Sequence, residues 1–348
     1  MKTGVIVANT GSPASPEPDD VEAYLREFLM DDRIRQLPRP IWRHLLYKRI
    51  LPKRKFTSAA RYRFIWSPEG SPLVVRQRQL CELVQAAFDA DAPAGDVVVR
   101  SAMSYGEPSI AAVLQELRDL GCAHVVLLPL YPQSAFSPTQ AVIDAVRRAQ
   151  DAIGWHPSTI VIDNYHDDPA YIRAIAGSIR AVGYDPSRDD HLVLSFHAIP
   201  LKDERAGDTY RTQVRHTAAL VAAELGIAPD AVTVSYQSVF GPRKDLWVSP
   251  LTVDVLAGWR DEAFRVVFCC PGFAVDCLET LYDIPHDMVP ALEGEAAAPT
   301  AQTVGQSLQA ACNTSGRFVW VPCLDATEEH ARVIHGVIAR HLTEEREA

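Results

Sequence analysis

Short apolar runs along this chain alternate with longer stretches in which apolar positions recur at helical spacing. The first pattern predicts buried strands and the second amphipathic helices. In the first half, strands are expected at 5–9, 97–103, 124–130 and 159–163, and helices at 20–29, 73–88, 109–120, 138–152 and 169–182. The second half repeats the scheme, with strands at 192–196, 232–236, 264–270 and 317–321 and helices at 210–225, 250–259, 274–288 and 327–341. Strands alternating with helices are the signature of βαβ units around a parallel sheet. The pattern predicts an α/β chain of two Rossmann-like, doubly wound lobes with parallel sheets and an inter-lobe cleft. Residues 1–170 form the first lobe and 171–348 the second, which carries the candidate histidine and glutamate.

One stretch departs from this rhythm. Between Asp31 and Arg63 there are eleven Lys or Arg against two acids, interleaved with Trp42, Tyr47 and Phe56. Pro38, Pro40 and Pro52 predict short helices joined by extended pieces. A basic, aromatic segment suits an anionic ligand or membrane surface, or is a salt-bridged helical insertion.

The remaining composition mainly excludes. The net charge of −10 argues against a nucleic-acid partner. No apolar run is long enough to cross a bilayer, and the start of the chain lacks a secretory pattern, which together predict a cytoplasmic protein. Seven scattered cysteines read as reduced thiols, and there is neither Gly-x-Gly-x-x-Gly nor a Walker sequence. Gly294 to Thr300 reads as a flexible loop.

Candidate chemistry lies at two predicted strand ends. The run 192–196 closes in His197, with Pro200 just beyond, so the imidazole stands at the carboxyl edge where open α/β sheets place their ligands. After the strand 264–270, Glu279, Asp283 and Asp287 are spaced four apart and share one face if the segment is helical, although Pro285 would bend or bulge it. A row of oxygen ligands leading to an imidazole holds a divalent metal loosely and places a proton acceptor beside it.

The motifs at these ends are specific. Leu194-Ser-Phe-His197-Ala-Ile-Pro200 with Gly207-Asp-Thr-Tyr210, and Pro271-Gly-Phe-Ala-Val-Asp-Cys-Leu-Glu279-Thr280, resemble the two active-site segments of ferrochelatases, the class II chelatase family. Further likeness runs in family order through Asn9 to Pro13, Tyr24 to Leu29, Ile65 to Leu73, Tyr105 to Ile110, Leu128 to Gln133, Tyr236 to Ser238, Trp247 and Val321 to Asp325. The resemblance implies a lyase of haem biosynthesis inserting Fe(II) into protoporphyrin IX or coproporphyrin III. His197 and Glu279 would be catalytic; His197, Glu279, Asp283 and Asp287 would carry the metal; Thr10, Trp42, Tyr105, Ser134, Gln237 and Trp247 would contact the porphyrin.

The resemblance also makes 31–63 a lip over the macrocycle with peripheral membrane contact. It implies a monomer or homodimer with no tightly bound cofactor, and the chain's end lacks the cysteines of an iron–sulfur cluster. Four positions depart from the family pattern. Ser104 and Val239 stand where basic residues are usual, Ser134 where a tyrosine is, and Ala198 where Gly or Ser is. The loss of two cations and a phenol points to altered propionate contacts, and it leaves a porphyrin carrier without turnover, or a chelatase for another tetrapyrrole, as alternatives.

Overall fold

The computed structural model describes residues 2–35, 37–91, 96–241, 243–295 and 316–347. It holds eight strands among the described residues: β1 (Thr3–Gly11), β2 (Val97–Tyr105), β3 (His124–Pro129), β4 (Ser158–Val161), β5 (Asp190–His197), β6 (Val232–Gln237), β7 (Arg265–Cys269) and β8 (Phe318–Trp320). They form two four-stranded parallel sheets, ordered β2-β1-β3-β4 and β6-β5-β7-β8. The two sheets therefore share one topology, a doubly wound α/β order in which the chain reverses direction between the first strand and the third. β3 and β7 occupy the same third position in their sheets.

The chain separates into two compact units, one of residues 1–131, 135–164 and 326–348, the other of 132–134 and 165–325. The C-terminal helix Glu328–Glu347, expected with the second lobe, groups with the first. Its buried face includes Ala331, Ile334, Val337 and Ile338, and the His335 ring lies 4.3 Å from that of Phe88 in the helix Pro72–Asp91. Sequence order misplaced this helix, because the surface that completes it lies far upstream.

In the first unit β1 is buried on both faces, as a strand covered by helices on each side must be. Ile6, Ala8, Val125 and Leu127 meet Val113, Leu117, Val142 and Val146 of the flanking helices Ile110–Asp119 and Pro138–Ile153. Gly11 ends the strand at φ +107°, where an added Cβ would stand 1.9 Å from the Tyr105 carbonyl oxygen. In the second unit Val193, Val266, Phe268, Phe318 and Trp320 form a core with Ile284, Met288 and Leu292.

Two proline-bearing segments differ from expectation. Residues 39–65 run as Arg39–Leu45, a π-helical turn Leu46–Ile50, and Leu51–Ile65, with no extended piece between them. Pro40 and Pro52 sit at the first positions of their helices, where a missing N–H costs nothing. Segment 274–288 is not one helix. Its chain turns through 271–277 before a single helical turn Leu278–Leu281, then widens into a π-turn Ile284–Met288 that contains Pro285. The π-turn absorbs the proline that would clash in a tight α-helix. Of the predicted loop at 294–300, residues 296–300 lie outside the described residues, as does Cys312. The six described cysteines are free thiols. Among the described residues no helix is long and apolar enough to cross a membrane.

Candidate active site

The second sheet builds the site at the carboxyl ends of its three adjacent strands. β5 ends at His197, paired in register with Gln237 at the end of β6, and β7 delivers the segment that leads to Glu279. Reversals of strand order open a crevice at such ends.

His197 is half-buried, and its Nδ1 lies 2.7 Å from the carbonyl oxygen of Ala198. A carbonyl can only accept, so Nδ1 carries a hydrogen, and in the neutral imidazole Nε2 then presents its lone pair. Tyr210, at the start of the helix Tyr210–Leu225, is buried, and burial pushes the pKa of its hydroxyl well above the usual phenol range. Phe273 covers the imidazole from 6.4 Å, centroid to centroid. Pro200, just past the strand, bridges to Trp247, and Val248 donates to the Ile199 carbonyl at 3.0 Å. Trp247 is thereby fixed, half-buried, beside the chain that follows His197.

Glu279 is positioned by side chains behind it. Gln237 Nε2 donates to the Glu279 carbonyl oxygen at 3.0 Å, while Gln237 Oε1 accepts from Ser195 at 2.7 Å and from the Cys270 thiol at 3.5 Å. Thr252 accepts or donates to both Ser195 and Ser235 at 2.8 Å, completing a buried polar chain across the sheet. Asp325 accepts from the Asp276 backbone N–H at 2.7 Å, and Thr280 donates to the Asp276 carboxylate at 2.8 Å, bracketing the turn before Glu279. Burial, and after it the charge of the half-buried Glu279, raises the pKa of the Cys277 thiol.

The carboxylate row does not keep one environment. Asp283 is buried and accepts from Ser238 at 2.9 Å, while Asp287 is exposed. No three of His197, Glu279, Asp283 and Asp287 bring ligand atoms within 4.8 Å of one another. The widened π-turn sets these side chains apart, so the expected metal set is an open series and not a closed cage.

The porphyrin candidates divide. Gln237 is buried with both ends of its amide engaged, which makes it a support for Glu279. Trp42, in the first unit, is likewise buried, its indole donating to the Leu29 carbonyl at 2.6 Å. Ser134 is half-buried and its backbone donates to Gln213 at 2.7 Å. Thr10 and Tyr105 belong to the first unit; Thr10 shares a 2.7 Å hydrogen bond with Tyr131, and Tyr105 is buried against Phe28. Sequence reasoning passed over Ser195, Thr252 and Ser238. The sign available was polar residues inside apolar strands, and the positive φ of Ser238, 63°, appears only in three dimensions.

Gln237→Leu removes the partner of the Glu279 carbonyl and one of the two partners of the Ser195 hydroxyl, which keeps Thr252. It is expected to destabilise the second unit by about 1–3 kcal/mol, read by chemical denaturation.

The ferrochelatase family model matches residues 2–342. A ferrochelatase of Aeromonas hydrophila subsp. hydrophila is 36% identical over 98% of this chain and 99% of its own, and one of Azoarcus sp. (strain BH72) is 41% identical over 81% of this chain and 77% of its own. Among solved structures, SirB from Bacillus subtilis matches at a TM-score of 0.50 and 10% identity, covering 97% of this chain and 95% of that one, which supports the two-lobed chelatase fold. The chain belongs to the ferrochelatase family, enzymes of the lyase class that insert iron into porphyrin in haem synthesis.

Proposed function

We propose that the second unit performs the proton and metal work of iron insertion, with His197 as base and Glu279, Asp283 and Asp287 as the path for Fe(II) and for departing protons. The observation that carries this reading is the Nδ1 to Ala198 hydrogen bond at 2.7 Å, which in the neutral imidazole leaves Nε2 as the accepting nitrogen. Insertion replaces the pyrrole N–H hydrogens of the porphyrin with the metal. A neutral imidazole takes up such a proton as the nitrogen lone pair turns to iron, and the carboxylates carry the charge of proton and metal between the site and water. The change from half-buried Glu279 through buried Asp283 to exposed Asp287 supports a path with one end in solvent. Gln237 and Asp325 hold the backbone on which Glu279 stands.

Protoporphyrin IX is the proposed substrate over coproporphyrin III. Ser104 and Val239, where family members carry cations, leave fewer charges to meet carboxylates, and protoporphyrin IX has fewer propionates. The proposal extends to peripheral membrane contact by 31–63, where Leu37, Ile41, Tyr47 and Phe56 are exposed. Several of its cations are matched within the first unit, Arg33 by Asp144, Arg63 by Glu17, and Lys55 by Glu22, so apolar burial would supply much of that contact.

Anaerobic incubation with Fe(II) or Zn(II) and each porphyrin tests the reading. Faster metallation of protoporphyrin IX is expected. Preference for coproporphyrin III would overturn the propionate argument, and no metalloporphyrin from any pair would overturn the whole.

A further inference from the structure

A second group of metal-binding side chains lies in the second unit and shares no residue with the proposed insertion path. His166 and Asp167 sit in the turn before the helix Pro169–Ala181, and His216 lies in the helix Tyr210–Leu225. Their ligand atoms all fall within 4.8 Å of one another. His166 Nε2 and His216 Nδ1 are 3.2 Å apart, with rings at 60° and centroids 5.3 Å apart, so the nitrogens meet edge-on and the rings do not stack.

We propose that His166, Asp167 and His216 bind one divalent first-row transition-metal ion. Two ligands at about 2.0–2.1 Å from a tetrahedral ion stand about 3.3 Å apart, close to the separation of these nitrogens. The ion would take the place of the hydrogen that one ring now shares with the other. Two imidazoles with one carboxylate favour zinc, cobalt, nickel or ferrous iron over magnesium or calcium. Water completes the coordination, because His216 and Asp167 are exposed and His166 is half-buried.

The frame is fixed even though the ligands face solvent. Thr217, next to His216, donates to the His166 carbonyl at 2.8 Å, which ties the turn to the helix. Gln133 in turn donates to Thr217 at 3.1 Å. Asp168, directly after Asp167, caps the helix Pro169–Ala181 by accepting from the N–H groups of Ala170 at 2.8 Å and Tyr171 at 3.0 Å. The Asp167 carboxylate stands 3.8 Å from His166 Nδ1, the other nitrogen of the ring whose Nε2 faces His216. The negative net charge of the chain, −10, favours a cation at any exposed ligand set.

Chelator-stripped full-length protein titrated anaerobically with Zn(II) against a chromophoric chelator tests the site. His216→Ala is expected to lose one equivalent of bound zinc, and Asp167→Asn to weaken that equivalent at least tenfold. Both positions are exposed, and Asp167→Asn keeps the claim testable if the other variant folds poorly. Iron insertion is expected to be unchanged in both, since neither residue belongs to the proposed path. Diffraction at the zinc edge should give a peak bonded to His166 and His216. Equal stoichiometry and affinity in all three proteins, or zinc peaks only elsewhere, would overturn the proposal.

Discussion

Asp190→Ala is expected to destabilise the second unit by about 3 kcal/mol, the lower end of the cost of breaking a buried ion pair. Asp190 faces Arg265 across the β5–β7 ladder, and its side chain is 1% exposed while that of Arg265 is 28% exposed. Arg265 Nε donates to Oδ1 at 2.8 Å, and the Asp185 backbone N–H donates to Oδ2 at 2.7 Å. Alanine would leave the guanidinium with the Gly183 carbonyl in place of a carboxylate, and would strand that N–H at the start of the strand that ends in His197. Burial pushes the Asp190 carboxyl upward, but Arg265 and the Asp185 N–H outweigh it and hold the net pKa below the usual aspartate value. A folded-state pKa below the unfolded value gives stability that is complete above about pH 4 and lost as pH falls through the folded value. The gap between wild type and Asp190→Ala in chemical denaturation should therefore be full at pH 7 and close in strong acid. A gap independent of pH would show that the carboxylate's charge is not the source.

His197→Ala is expected to lower kcat for iron insertion by about a hundred- to ten-thousandfold, the usual contribution of a positioned general base. The Ala198 hydrogen bond at 2.7 Å orients the ring, and the strand's pairing runs through the backbone and does not need the imidazole. The loss should therefore come without a matching loss of stability. Activity of the wild type should also fall towards acid, since an imidazolium neither accepts a proton nor ligates a metal. The alanine variant should lack that limb of the profile.

Much of this was legible in the residues. The alternation of apolar runs with helical periodicity located all eight strands, because buried parallel strands cannot hide their apolar composition. His197 could be placed at a strand end because Pro200 forbids the ladder to continue. What stayed hidden depends on tertiary neighbours. Trp42 reads as a surface aromatic among cations, yet it folds inward to reach the Leu29 carbonyl. Gln237 reads as a ligand contact, yet its amide is spent between Ser195 and Glu279. The four-residue spacing of Glu279, Asp283 and Asp287 was read on an α-helix, and the π-turn around Pro285 changed where the three carboxylates stand. His166 and His216 are fifty positions apart and form no local motif.

The most direct test is the initial rate of Fe(II) insertion into protoporphyrin IX, measured anaerobically across the acid to neutral range for wild type and His197→Ala side by side. Turnover is expected to rise with pH in the wild type and to fall at least a hundredfold in the variant. A His197→Ala protein that keeps full rate across that range would contradict the assignment of His197 as base.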